Sequence, residues 1–469
     1  MFYFFFFFSK SLKPIFILPS LQDSFLTASY ENAELNWYCP EKLKSNIIWF
    51  PYNWTEQPYF NCIFQMLQVL WNQKSKKWET LKQVRIQPQT VLLSNYSIDT
   101  LYAKGEYSLN SLFIDSFNQN PLNPQKFPHI IGFNSILKYF ISKGYKLDHD
   151  LISYSYDWRF VPFDILSKKE TDIWYHLKQN IESSVKAQRK KATLIGISTG
   201  GTIGYYFLTQ ICDQQWKNQY LDKIIFISPI ITGVPLAFQL LSSKSISFLN
   251  DFQSYDLPAF LESLPILYSL LPNPIFYENR TLVINEFELN CTASYLPTLL
   301  KKEIIKKENW PILEKALEFH NSINFNKKNI IGLPTYIIYN SGIRTPLLLK
   351  YGPKYKSPKI LKSVSGDGIV PSSILEKLLN NQYETQLTFI DLYRDHPHFG
   401  HVALPSNPYV LNLVYNLSFN LNDFSGFHQK GSNNNNNNNN NNDSRRLLIA
   451  PYVTVRNTTS FEIHSEIRS

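Results

Sequence analysis

Short, uninterrupted apolar runs alternate along this chain with longer stretches whose apolar residues recur every three or four positions. "KPIFILPS" (13–20), four apolar residues closed by Pro19, predicts a buried strand. The residues that follow it, rich in Trp, Tyr, Asn and Pro, show little periodicity and read as an elaborated insertion over about 30–125. In "FNSILKYFISKGY", Ile136, Leu137, Phe140 and Ile141 mark one face of a helix and Gly144 its stop. "DLISYSYDWRF" (150–160) reads as a strand, and Ile173, Trp174, Leu177, Ile181 and Val185 recur at helical spacing. "ATLIGIS" (192–198) predicts a buried strand with the helix "GGTIGYYFLTQIC" (200–212) behind it, and "DKIIFISP" (222–229) a further strand.

Apolar strands alternating with helices are the pattern of a parallel sheet covered on both faces. From about 236 to 330 the pattern changes to Leu-rich helical stretches with Pro breaks and basic patches such as "LLKKEIIKKENW", which reads as a cap inserted into the α/β domain. Core character resumes in "PTYIIYNSG" (334–342) and "TQLTFIDL" (385–392), both strand-like, and beyond 420 the composition collapses into ten asparagines, 433–442. The expected organisation is an apolar N-terminal segment (1–12) and a first core part (13–235) containing the insertion. A cap (236–330), a second core part (331–420) and a disordered low-complexity tail (421–469) follow.

Composition narrows the function classes. The chain has 469 residues, 44% of them hydrophobic, enough for one large domain with insertions or for two. The balance of 46 Lys+Arg against 37 Asp+Glu gives a net charge of +9. No recognition motif accompanies that mild excess, so nucleic acid is not an expected partner. "LLLKYGPKYKSPKILK" (347–362) carries five lysines and no acid and reads as a solvated loop, a membrane surface being its alternative use. "MFYFFFFF" opens the chain with seven apolar residues after Met1 and no leading charge. That is a poor signal peptide, too short to span a membrane; a signal remnant, a misplaced start and a surface anchor all remain open. The four cysteines show no C-x-x-C or Cys/His spacing, so neither metal nor redox cofactor is expected. Cys39 and Cys62 lie 23 residues apart in a loop-like region, where a disulfide fits a secretory chain, and Cys212 reads as a buried thiol. Sequons at Asn53, Asn95, Asn279, Asn290, Asn416, Asn442 and Asn457 would be acceptors in a secreted protein.

"GISTG" (196–200) fits G-x-S-x-G at the end of the predicted strand, where a strand-to-helix turn would expose the Ser198 hydroxyl. A serine becomes a nucleophile when an imidazole takes its proton and a carboxylate fixes that imidazole. On α/β-hydrolase folds the partners follow in the order Ser, Asp, His, on loops after later strands. "SVSGDGIVP" places Asp367 between glycines after the 334–342 strand, and "DLYRDHPHFGH" offers His396, His398 and His401 beyond 385–392. Asp395 competes with Asp367 but stands beside the histidines, where a turn or cap is its ordinary role.

Tyr156-Asp157-Trp158-Arg159 resembles the Y-D-W-R signature of the lecithin:cholesterol acyltransferase family, which includes lysosomal phospholipase A2 and the phospholipid:diacylglycerol acyltransferases. "KPIFILPSLQDSFLTA" is similar to the family's first strand and oxyanion loop, "LNWYCPEK" to the start of its lid disulfide, and "GDGIVP" to its aspartate loop. "GHVALPSNPYVLNLVY" is similar to its terminal His segment, which singles out His401 over His396 and His398. The resemblance runs from about 13 to 420. It departs at Ile197, where members carry His or another polar residue, at Ser20, where they carry Gly, and in "SPIITGVPLAF", which only echoes G-A-P-W-G-G.

The resemblance implies an α/β-hydrolase fold with a mostly parallel central sheet, an N-terminal lid/membrane-binding insertion and a helical cap. Ser198 would be the nucleophile, Asp367 the orienting acid and His401 the base, with the backbone amides of Leu21 and Thr199 as oxyanion hole and Cys39 and Cys62 as the lid disulfide. Asp157 and Arg159 would support the site by an ion pair or hydrogen bonds, and Trp158 by packing. The implied activity is transfer of an acyl group from a phospholipid, through an acyl-serine, to a sterol or other lipid alcohol. The alternatives are a phospholipase A, with water as acceptor, and an inactive lipid-binding relative. The expected partner is a phospholipid membrane or lipoprotein-like surface in the secretory pathway, secreted or lysosomal, with no cofactor and no obligate protein partner.

Overall fold

A computed structural model describes residues 12–21, 23–49, 59–75, 77–89, 132–160, 173–245, 256–323, 330–355, 358–381, 383–384, 386–393, 398–419 and 454–457. The apolar start, much of the expected insertion, the asparagine run, Asp395 and His396 lie outside these residues.

The apolar runs become a seven-stranded sheet: β1 (Ile15–Leu18), β2 (Leu151–Ser153), β3 (Ala192–Ile197), β4 (Leu221–Ile227), β5 (Thr335–Tyr339), β6 (Leu387–Asp391) and β7 (Thr454–Asn457). Their order across the sheet is β7-β6-β5-β4-β3-β1-β2, and every pairing from β6 to β2 is parallel. Both faces of β1 are buried, so alternate residues feed two cores. Ile15 and Ile17 pack with Ile136, Leu137 and Phe140 of a helix (Gly132–Ser142) and with Val410 and Val414 of another (Pro408–Phe419). Phe16 and Leu18 join Trp174, Leu177 and Ile181 of the helix Ile173–Gln188 on the opposite face. The last turn of Pro408–Phe419 is tied to the sheet by Lys223 and Lys13, whose ammonium groups donate to the carbonyls of Leu417 (2.7 Å) and Ser418 (2.8 Å).

The chain leaves β1 for β2 on one side, returns to β3 on the other, and then steps outward through β4, β5 and β6. Strand order therefore reverses between β1 and β3, and the crevice outside their carboxyl ends is where open α/β sheets place ligands. This is the mostly parallel α/β-hydrolase arrangement.

The structure revises four expectations. "DLISYSYDWRF" is a strand only over Leu151–Ser153; Tyr156 and Trp158 turn inward beyond its end, both almost wholly buried. The lysine-rich stretch is not a loop: Ile343–Lys350 and Lys359–Gly366 are the arms of an antiparallel hairpin. Pro346, which cannot donate to a ladder, sits at a register shift and masked that hairpin in the sequence. The region 236–330 is not wholly helical, because Thr281–Ile284 and Asn290–Thr292 extend the same hairpin into a four-stranded sheet. Finally, Thr454–Asn457, inside the expected disordered tail, pairs antiparallel with β6 and covers its open edge.

Between β1 and β2 the chain forms a second small sheet, Lys42–Trp49 against Phe25–Glu31 against Arg85–Gln89. A helix, Tyr59–Leu67, follows Lys42–Trp49, and a disulfide joins Cys39 to Cys62 within that helix.

Candidate active site

Ser198 stands at the first position after β3 and caps the helix Thr199–Tyr206. Its backbone, at φ 54° and ψ −118°, lies in a region that costs a non-glycine residue conformational energy. The strain is fixed from several sides. The Ser198 amide donates to the Ile227 carbonyl (2.9 Å), and its own carbonyl accepts from the Gly201 amide (3.0 Å). The flanking glycines are required by close approach: a Cβ on Gly196 would sit 2.8 Å from the Gly200 carbonyl oxygen, and one on Gly200 would press on the carbonyls of Leu18 and Pro19. Side-chain-free residues thus let the helix lie against β1 and β3 while the serine is lifted into the crevice.

Ser198 Oγ lies 2.7 Å from His401 Nε2, and His401 Nδ1 lies 2.8 Å from Asp367 Oδ2. With a carboxylate accepting at Nδ1, that nitrogen carries the proton and Nε2 is left to accept from the serine hydroxyl. The Ile369 and Val370 amides donate to the other Asp367 oxygen at 3.0 and 2.7 Å. Asp367 and His401 are both buried. The hairpin Ile343–Lys350/Lys359–Gly366 delivers Asp367 at its end, where Thr345 Oγ1 accepts from the Gly368 amide (2.8 Å). Of the other histidines considered, His398 is exposed and His396 lies outside the described residues.

Two amides border this group. Thr199 begins a helix, so its N–H has no intrahelical acceptor. Leu21, on the turn after β1, also has no acceptor for its amide among the described residues. Ser20, Leu21, Ser198, Thr199 and His401 line one pocket whose walls are otherwise largely apolar. Leu236, Leu240, Leu261, Leu264 and Leu267 contribute apolar wall. Trp49 and Trp158, 4.7 Å apart between ring centroids, also line it.

The Y-D-W-R residues are built into this site. Tyr156 donates its hydroxyl to the Pro19 carbonyl (2.7 Å), and Trp158 supplies pocket wall. Arg159, fully buried, binds Asp157 through two hydrogen bonds, Nε to Oδ1 (2.9 Å) and Nη2 to Oδ2 (2.6 Å). Sequence reasoning missed Trp49 and Asp23. Trp49 donates its indole N–H to the Leu21 carbonyl (3.0 Å). Asp23 lines the pocket, and burial pushes its carboxyl up to about 7, against the opposing hydrogen bond from Ser20. Neither residue belongs to a local pattern. The one signal was an acid set in the otherwise uncharged run between β1 and Glu31.

The lecithin:cholesterol acyltransferase family model matches residues 45–336, more than half of the chain. A bovine (Bos taurus) protein named lysosomal phospholipase A and acyltransferase is 23% identical over 265 residues, 55% of this chain and 60% of that one. A Schizosaccharomyces pombe phospholipid:diacylglycerol acyltransferase is 29% identical over 139 residues, 27% of this chain and 21% of that one. Each match thus spans less than two thirds of the relative's own length. The crystal structure of the Tle4–Tli4 complex superposes with a TM-score of 0.44 and 11% identity, covering 85% of this chain and 96% of that one. The family match takes in Ser198 and the Y-D-W-R turn but ends before Asp367 and His401, which the fold brings to the same crevice. The chain belongs to the lecithin:cholesterol acyltransferase family.

Proposed function

We propose that the protein is a lipid O-acyltransferase that moves a fatty acyl group from a phospholipid, through an ester on Ser198, to a sterol or other lipid alcohol. The observation that carries this reading is the continuous hydrogen-bonded chain from Ser198 through His401 to Asp367 at the wall of an apolar pocket, in a member of this family. His401 Nε2 takes the hydroxyl proton as Ser198 Oγ bonds to the ester carbonyl carbon. The carbonyl oxygen becomes an oxyanion, met by the Leu21 and Thr199 amides, each worth about 2.7–4 kcal/mol to the transition state. Collapse breaks the bond to the lysolipid oxygen, which receives the proton from His401. The acceptor hydroxyl then loses its proton to His401 and attacks the acyl-serine, and the bond to Ser198 Oγ breaks as that oxygen takes the proton back from His401. Asp367 holds the imidazole in the required tautomer throughout.

Water is the competing acceptor, and the bovine relative's name, which joins a phospholipase to an acyltransferase, supports keeping that reading second. A lipid surface as partner is supported by Trp37, 93% exposed two residues before the Cys39 disulfide. A secretory or lysosomal route is supported by the disulfide, by the exposed sequons at Asn279 and Asn290, and by the same relative. Among the described residues no helix is long and apolar enough to cross a membrane.

The test supplies phosphatidylcholine vesicles with and without sterol and identifies products by mass spectrometry. Steryl ester that depends on Ser198 is the expected result. Free fatty acid and lysolipid alone, with sterol present, would make the protein a phospholipase A. No product from either vesicle would remove the enzymatic reading.

A further inference from the structure

The described residues of the turn that follows β1, 19–21, 23 and 24, are held by more hydrogen bonds than a short connection requires. Tyr156 and Trp49 occupy the carbonyls of Pro19 and Leu21, and the amides of Asp23 and Ser24 both donate to the Ser20 carbonyl at 3.1 Å. The Ser24 hydroxyl donates to the Tyr156 carbonyl (2.6 Å) and accepts from the Tyr156 amide (2.8 Å). Within the turn, the Ser20 hydroxyl donates to Asp23 Oδ2 at 2.5 Å. Both side chains line the pocket that holds Ser198. A carboxyl in a largely apolar wall costs free energy, and a packing role alone would be filled by an apolar side chain. The Ser20 hydroxyl has its partner three residues along the chain, inside the site.

We propose that Ser20 and Asp23 are positioning residues for acyl transfer: their side-chain hydrogen bond closes the turn after β1 and aims the unpaired Leu21 amide at the carbonyl oxygen of an ester seated at Ser198. The inference rests on the catalytic reading above. Three carbonyls of the turn are taken by Tyr156, Trp49 and the local amides, which leaves the Ser20–Asp23 bond as the side-chain contact that sets the pitch of the turn around Leu21. Loss of that bond lets the amide rotate away from the oxyanion without emptying the pocket, so the rate of the chemical step falls while ester binding persists.

The experiment measures p-nitrophenyl butyrate turnover by the full-length protein, with circular dichroism confirming that each variant is folded. Ser20→Ala and Asp23→Leu each lower kcat about 10-fold or more and leave KM within about twofold. Ser20→Thr and Asp23→Asn, which keep a hydroxyl facing a side-chain oxygen, recover most of the loss. Where Ser20→Ala does not fold, Ser20→Gly removes the same hydroxyl without adding bulk. Parental kcat in the folded Ser20→Ala and Asp23→Leu variants, a loss confined to KM, or no recovery in either conservative variant overturns the positioning role and leaves the Ser198 chemistry standing. A parent protein that hydrolyses no ester overturns both.

Discussion

His401 is bonded to Asp367 twice: its backbone amide donates to the Asp367 carbonyl at 2.8 Å, and its imidazole Nδ1 meets the Asp367 carboxylate at 2.8 Å. The main-chain bond fixes the separation of the two loops, so the side-chain bond is made between atoms already in place. Asp367→Asn keeps that main-chain link and the shape of the site but offers an amide where a carboxylate stood. The expected outcome is a folded protein with kcat lowered about 10⁴-fold, because the imidazole is held in the wrong tautomer. Steady-state ester turnover with a thermal melt checks both halves of the statement.

Gly200→Ala tests the packing that lifts Ser198 into the crevice. The added methyl would press on the carbonyls of Leu18 and Pro19, which are backbone atoms that cannot swing aside. The variant is expected to lose about 1–3 kcal/mol of stability or more, and the turn after β1 moves with it. Chemical denaturation reads the first effect and ester turnover the second.

The disulfide between Cys39 and Cys62 closes a 23-residue separation that includes the strand carrying Trp49. Replacing both cysteines with serine is expected to cost about 3 kcal/mol, most of it by freeing the unfolded chain. Because Trp49 holds the Leu21 carbonyl, the same change also slows ester turnover. Urea unfolding of the oxidised parent against the double variant measures the stability difference.

Asp23 makes stability depend on pH in a stated direction. Burial pushes its carboxyl up to about 7, above the 3.8 of a free aspartate, so the native protein favours the neutral acid. The penalty is absent below pH 4, grows as pH rises, and is complete once pH passes about 7, where it reaches about 4 kcal/mol. Asp23→Asn removes it. The gain in stability of Asp23→Asn over the parent should therefore rise between pH 4 and pH 8, and a gain that is flat with pH would contradict the assignment.

Ser198 was legible because its evidence is local: a buried run, two glycines that permit close approach, and a helix behind. Asp367 and His401 were legible through order along the chain and through resemblance, since nothing in "GDG" or in one histidine among three marks a partner. The pocket walls were not. Trp49 and Trp158 meet across a separation of 109 positions, and Leu236 of one helix and Leu264 at the end of another reach the same pocket, a convergence that no periodicity encodes. The hairpin at 343–366 was hidden by Pro346 and by lysines that suggested a loop, although it is what delivers Asp367. Ser20 carried the opposite lesson, because a residue that looked like a departure from the family's glycine has a hydrogen-bond partner that only the folded turn reveals.

The central claim is that Ser198 is an activated nucleophile, and covalent labelling tests it most directly. Full-length protein incubated with a fluorophosphonate and examined by intact-mass spectrometry should gain one adduct, mapped by peptide sequencing to Ser198 and absent from Ser198→Ala. No adduct on the folded parent, or equal labelling of Ser198→Ala, would contradict the account.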